Sequence, residues 1–278
     1  MPSLTLDDGA QLRYREAGQG RSVLLLHGWG VAGACFDPLA QALGEGWHVV
    51  VPDLRGHGAS SPLSPDQGFD TLVDDLRQLL IALDLRESVV VGWSMGALLA
   101  WALANGEAEG RVAGLCSIDM VPRLLNHADW HFGLRDGRDS SIYAEVARRM
   151  RENWPAFMRI FVPRVFARGT HSKHQAACEA LIEMGKVNDP ASMAQLWLSM
   201  VEQDLRDALA RIDCPTLVTY GEQSLLYEPA ASQWVAAQLP DARLQAFAQS
   251  GHAPHLEEPE QFTRELLAFM ATVDDRSR

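Results

Sequence analysis

Positive charge is scarce in this sequence. Lysine and arginine number 24 against 36 aspartates and glutamates, a formal charge of −12 over 278 residues with histidine neutral. A surface of that sign repels phosphate backbones and anionic lipid, which makes nucleic acid and membrane surfaces poor partners. Long apolar runs are also missing: none approaches the roughly 18–20 residues that a membrane-spanning helix needs. The opening residues, Met1 to Gly9, lack a basic region followed by an apolar stretch. They predict no signal peptide and a cytoplasmic location. Cysteine is sparse. Cys35, Cys116, Cys178 and Cys214 stand far apart without metal-ligand spacing, so reduced and mostly buried thiols are expected. No Walker loop, internal repeat or low-complexity stretch occurs, and no metal or cofactor is expected.

The length suits one large domain, or a core with a modest insertion. Leu4–Leu6 and Gln11–Tyr14 flank Asp7-Asp8-Gly9, which reads as a hairpin. Continuous apolar runs follow at Val23–Leu26, His48–Val51, Val89–Val91, Gly114–Ile118 and Thr216–Tyr220. Such runs suit strands buried on both faces of a parallel sheet. Helical patterns lie between them, at Thr71–Leu83 and Ala97–Ala104. That alternation predicts an open α/β sheet with right-handed crossovers. It breaks after Asp119. Helical patterns at Ser141–Asn153, Pro155–Phe166, His174–Met184 and Ser192–Glu202 then predict an inserted helical cap over residues 121–211, on a core made of 1–120 and 212–278. A last helix is expected over Pro259–Thr272.

One segment concentrates the chemistry. Gly92-Trp93-Ser94-Met95-Gly96 follows a run of valines and precedes a helical pattern, which is the setting of a nucleophile elbow. A strand-to-helix turn that tight leaves no room for side chains two residues either side of the serine, and glycine removes them. Ser94 is then exposed at a helix start, where amide dipoles favour negative charge. Acyl transfer also needs two backbone N–H groups to hold the oxyanion. Met95, after the nucleophile, supplies one. The loop His27-Gly28-Trp29-Gly30 supplies the other, with Trp29 N–H as the candidate. His27, and the loop Asp53-Leu54-Arg55-Gly56-His57-Gly58, are expected to be structural. Near the chain end, Ser250-Gly251-His252-Ala253-Pro254 places His252 between a last strand and the last helix, where a base can take and return the serine proton. His255 is its competitor.

Together, His27-Gly28-Trp29-Gly30, Asp53 to Gly58, Gly92 to Gly96 and Gly251 to Pro254 resemble the α/β-hydrolase superfamily over nearly the whole chain outside the cap. The resemblance implies an α/β-hydrolase fold: a mostly parallel eight-stranded sheet flanked by helices, with the cap inserted after the sixth strand. Within the superfamily, the pairing of the first and third motifs is similar to pimeloyl-[acyl-carrier protein] methyl ester esterases. The resemblance also implies an acid after the seventh strand, in a Tyr-Gly-x-x-Asp setting. This chain has Tyr220-Gly221-Glu222-Gln223-Ser224 there, and a hydroxyl cannot stabilise a histidinium. Asp119, closing the sixth-strand run, is the leading replacement; Glu222 or Glu228, or no effective acid, are the others.

The expected chemistry is cleavage of an ester, thioester or lactone through an acyl-enzyme on Ser94. Epoxide hydrolases and haloalkane dehalogenases of this fold need a carboxylate nucleophile instead. Two other readings compete. One is a cofactor-free dioxygenase acting on a quinolone-like ring, which often carries histidine where Met95 stands. The other is a ligand-binding module without turnover. From Arg123 to Lys173 the cap carries ten basic and five acidic residues, so an anionic substrate or an acidic acyl-carrier protein is a candidate partner. Trp154, Phe157, Phe161 and Phe166, interleaved with these charges, either roof an acyl pocket or pack the cap onto the sheet. Trp29 and Trp93 suggest a flat or apolar substrate group.

Overall fold

The computed structural model describes residues 1–106, 110–135, 140–170 and 173–276. The strands are β1 (Ser3–Thr5), β2 (Gln11–Ala17), β3 (Arg21–Leu26), β4 (Trp47–Pro52), β5 (Ser88–Trp93), β6 (Val112–Ile118), β7 (Thr216–Gly221) and β8 (Ala242–Phe247). The helices are α1 (Asp37–Leu43), α2 (Phe69–Ala82), α3 (Met95–Asn105), α4 (Ser140–Glu152), α5 (Trp154–Phe161), α6 (Gln175–Lys186), α7 (Pro190–Val201), α8 (Arg206–Leu209), α9 (Pro229–Gln238), α10 (Pro254–Glu257) and α11 (Pro259–Arg276).

The strands form one sheet in the order β1-β2-β4-β3-β5-β6-β7-β8. β1 and β2 pair antiparallel, β2 meets β4 antiparallel, and every pairing from β4 to β8 is parallel. β5 and β7 are buried along their whole length, as continuous apolar runs covered on both faces require. The helices show why those faces are dry. α2 buries Phe69, Leu72, Leu76, Leu79 and Leu80 on one stripe, with solvent on the other. α3 is apolar all round and sunk in the core from Met95 to Leu103.

The structure refines several expected elements. The run expected as one helix over Pro155–Phe166 ends at Phe161, and Val162–Val165 tightens into a 3-10 turn. Pro163 has no N–H to continue an α-helical ladder. α1 and α9 escaped the sequence reading because each is short and lacks a clear apolar stripe. Among the described residues, five helices, α4 to α8, lie in the chain between β6 and β7. α7 starts on Pro190, with Asp189 accepting from Ser192 N at 2.7 Å, an N-cap that fixes where the helix begins.

A buried ionic cluster holds the loop after β4. Arg55 donates to both oxygens of Asp75 on α2, at 2.7 and 2.8 Å, and also reaches Asp8. Arg55 and Asp75 are almost wholly enclosed, so each charge depends on the other. Cys35, Cys116 and Cys178 are buried, and Cys214 is half-buried. No described helix is long and apolar enough to cross a membrane.

Candidate active site

The carboxyl ends of β3, β5, β6 and β7 deliver one residue group each. After β5 the chain turns at Ser94 with φ +54° and enters α3 at Met95. The elbow glycines are sterically required. A Cβ on Gly92 would lie 2.2 Å from Gly96 O, and one on Gly96 would lie 2.0 Å from Leu26 O. Asp119, one residue past β6, also has a positive φ, +45°. Non-glycine residues in that region cost of order 1–3 kcal/mol each, and the surrounding structure must impose them. Ser94 N donates to Ile118 O, and Asp119 N to Thr219 O, which ties both turns to neighbouring strands.

His252 sits on the loop after β8 and meets Asp119. Its Nδ1 donates to Asp119 Oδ2 at 2.7 Å, and both side chains are only 2 % exposed. A carboxylate accepts, so the proton sits on Nδ1 and Nε2 keeps a free lone pair. Asp119 Oδ2 accepts a second bond, 2.7 Å, from Ser224 Oγ, whose oxygen in turn faces the N–H groups of Leu226 and Tyr227. The other carboxylates considered lie elsewhere. Glu222 and Glu228 are exposed, and Glu228 pairs with Arg135 at 2.9 Å. His255 is buried among the rings of Phe36, Trp93 and Phe262, and neither of its nitrogens has a hydrogen-bond partner. Burial, and then the neighbouring His252, push its pKa down to about 3. The Tyr227 phenol, 5.7 Å from the His252 ring centroid, is held protonated by burial and by the Asp119 charge.

Ser94 and His252 line one cavity. No hydrogen bond joins Ser94 Oγ to the imidazole among the described residues; such bonds commonly tighten only with substrate bound. Met95 and Trp29 are buried, and neither backbone N–H has a protein acceptor among the described residues. The Trp29 loop is braced by two histidines. Gly30 N donates to His57 Nε2 and Leu54 N to His27 Nε2, each at 3.0 Å. Burial, and then His27, push His57 down to about 3, which keeps it a neutral acceptor.

Sequence reasoning missed what the tryptophans do. Trp93 Nε1 donates to His252 O at 2.8 Å, so the residue before the nucleophile holds the base's backbone. Trp29 Nε1 donates to Met193 O on α7 at 3.1 Å. Both indoles still flank the cavity, but their polar edges serve the protein.

That cavity, about 40 Å³, shares Leu134, Phe161, Trp197 and Leu226 with an outer one of about 150 Å³ between α4 and α5. Arg135 and Arg164 line the outer chamber. The cations counted between Arg123 and Lys173 are less available than their number suggests. Arg148 and Arg149 pair with Glu145, Arg148 also with Glu152, and Arg123 with Asp204. Asp136, Arg138 and Asp139 lie outside the described residues.

Many known proteins are similar to this chain. The sequence pattern described as "Alpha/beta hydrolase family" matches residues 23–265. The chain is 30% identical over 257 residues to a pimeloyl-[acyl-carrier protein] methyl ester esterase of Chromobacterium violaceum, covering 92% of this chain and 96% of that one. It is 27% identical to the non-heme chloroperoxidase CPO-A1 of Kitasatospora aureofaciens, covering 97% and 99%. Among solved structures, a thermophilic esterase from Thermogutta terrifontis superposes with a TM-score of 0.86 at 28% identity, covering 98% of both chains.

Proposed function

The chain belongs to the alpha/beta hydrolase family, and from its site we propose that it hydrolyses a carboxylic ester through an acyl-enzyme on Ser94. The observation that carries this reading is the enclosed 2.7 Å bond between His252 Nδ1 and Asp119 Oδ2, in a cavity that also holds Ser94. Ser94 Oγ attacks the ester carbonyl while His252 Nε2 takes its proton. The carbonyl electrons move onto oxygen, and Trp29 N–H and Met95 N–H receive that charge. Losing one such donor costs about 3–4 kcal/mol of barrier. Asp119 stabilises the imidazolium without taking its proton. The tetrahedral centre collapses, the alkoxide leaves with the proton from His252, and Ser94 stays acylated. Water, deprotonated by the same imidazole, then repeats the sequence and releases the acid.

Residues 121–211 act as a cap over the core of 1–120 and 212–278. The paired cavities beneath it suit an acyl chain: the reacting carbonyl at Ser94, and the apolar chain past Phe161 and Trp197. An acyl-carrier protein is a partner suggested by the esterase relatives. On this chain, Arg135, itself paired with Glu228, and Arg164 line the outer chamber, where a partner's charge would meet them. The buried free thiols of Cys35 and Cys116 suit a reducing compartment such as the cytoplasm.

Trapping tests the covalent step. A fluorophosphonate should add once to the wild type, at Ser94, and not to Ser94→Ala, with p-nitrophenyl butyrate turnover lost in parallel. Stoichiometric labelling elsewhere, or turnover surviving in Ser94→Ala, would overturn the reading.

A further inference from the structure

The loop that carries His252 is fastened to the helices between β6 and β7 as well as to the sheet. Glu257, the last residue of α10, is buried, and its two carboxyl oxygens face different segments. Oε1 accepts from Gly251 N at 2.7 Å, and Oε2 accepts from Ala167 N at 2.8 Å. Beside this bridge, His252 N donates to Val165 O at 2.7 Å. The segments touch so closely that a Cβ on Gly251 would lie 2.5 Å from Ala167 N and 2.9 Å from Val165 O. Val162 and Val165, just before Ala167, line the cavity that holds Ser94 and His252. The roof of that cavity and the backbone of the base are therefore one hydrogen-bonded unit with Glu257 at its centre.

We propose that Glu257 is a positioning residue, whose carboxyl latches the roof segment Val165–Ala167 to the base loop Gly251–His252 and so sets the imidazole's place in the cavity. This rests on the catalytic reading above. The chemistry of the bridge is specific. Each of the two N–H groups is enclosed and needs an acceptor. A carboxyl can accept at both ends of its span. Glutamine has the same shape but turns one end into an NH2, which would face an N–H. Aspartate keeps the carboxyl but shortens the reach by a methylene. Trp93 and Asp119 hold the carbonyl and the ring of His252, and the latch supplies a separate constraint through the backbone of Gly251.

The test uses Glu257→Gln and Glu257→Asp, with Leu79→Ala in the α2 core as a control that lowers Tm far from the site. With p-nitrophenyl acetate, whose acyl group needs no outer chamber, Glu257→Gln should lose between about tenfold and 100-fold in kcat with KM little changed, the scale of a misplaced catalytic group. Its fluorophosphonate labelling rate at Ser94 should fall in proportion. The downfield proton resonance of His252 Nδ1–H should broaden or shift. Leu79→Ala should keep kcat and that resonance despite its lower Tm. If Glu257→Gln does not fold, Glu257→Asp is read by the same measurements. Wild-type kcat and an unmoved resonance in a folded Glu257 variant would overturn the proposal, as would an equal kcat loss in Leu79→Ala. Failure of the catalytic reading looks different: Ser94→Ala would stay active, and the proton resonance would still report the latch without turnover.

Discussion

Ser224 Oγ donates to Asp119 Oδ2 at 2.7 Å, on the same oxygen that receives His252 Nδ1. Ser224 occupies the slot after β7 where the resemblance places the acid, and Asp119 comes instead from the end of β6. The slot and the carboxylate are hydrogen-bonded neighbours, so moving the acid between them displaces it only across one hydrogen bond.

This adjacency predicts a rescue. Asp119→Asn should cost roughly 10⁴ in kcat, the penalty for a triad carboxylate turned into an amide. The double variant Asp119→Asn/Ser224→Asp puts a carboxylate back after β7, and its kcat should exceed that of Asp119→Asn by at least about tenfold. Ser224→Asp alone should lose activity, because two carboxylates at hydrogen-bond distance compete for one proton. Steady-state kinetics with p-nitrophenyl butyrate reads all three.

Two buried histidines set the acid side of the stability profile. Burial lowers His57 and His255 from the ordinary 6.5 to about 3. The folded protein keeps both neutral while the unfolded chain protonates them. Their contribution is full above pH 6.5 and is lost as pH falls toward 3, at up to about 1.4 kcal/mol per pH unit for each. Glu257 acts in the opposite sense. Burial raises its carboxyl to about 7, so its contribution is full below about 4.5 and is lost as pH rises through 7. His255→Leu, whose ring makes no hydrogen bond to lose, should flatten the acid slope in urea unfolding between pH 7 and 5.

The Arg55–Asp75 pair should behave as an enclosed ion pair. Arg55→Met leaves Asp75 buried and uncompensated, at a cost of about 3–5 kcal/mol. Arg55→Met/Asp75→Leu should recover most of that in urea unfolding, with turnover retained because neither side chain lines the cavity that holds Ser94.

Chain-length preference should follow the partition between the cavities. Widening it with Phe161→Ala should raise kcat/KM for p-nitrophenyl octanoate relative to butyrate. Each methylene newly buried contributes about 0.8 kcal/mol, or roughly fourfold. An unchanged ratio would place the acyl chain elsewhere.

Much of this was legible because it is local. Gly92 answers a steric demand within the elbow itself, and the valine run before it marks a doubly covered strand. Asp119 was legible by a longer step: an acid at the end of one strand must sit beside the end of the next. Contacts between remote segments were not legible. Trp93 and His252 lie 159 residues apart, and nothing in either neighbourhood announces that the indole holds the base's carbonyl. Glu257 reads in the sequence as one more helix-terminal acid; only folding brings Ala167 and Gly251 to its two oxygens. The basic excess of the cap was counted correctly, yet the counting could not tell which arginines are already paired along α4.

The central claim is that Ser94, His252 and Asp119 act as one unit, and turnover of p-nitrophenyl butyrate by wild type, Ser94→Ala, Asp119→Asn and their double variant tests it most directly. The account predicts activity in the wild type, a loss of several orders of magnitude in each single variant, and no further loss in the double. Wild-type turnover in Asp119→Asn, or losses that multiply in the double variant, would contradict it.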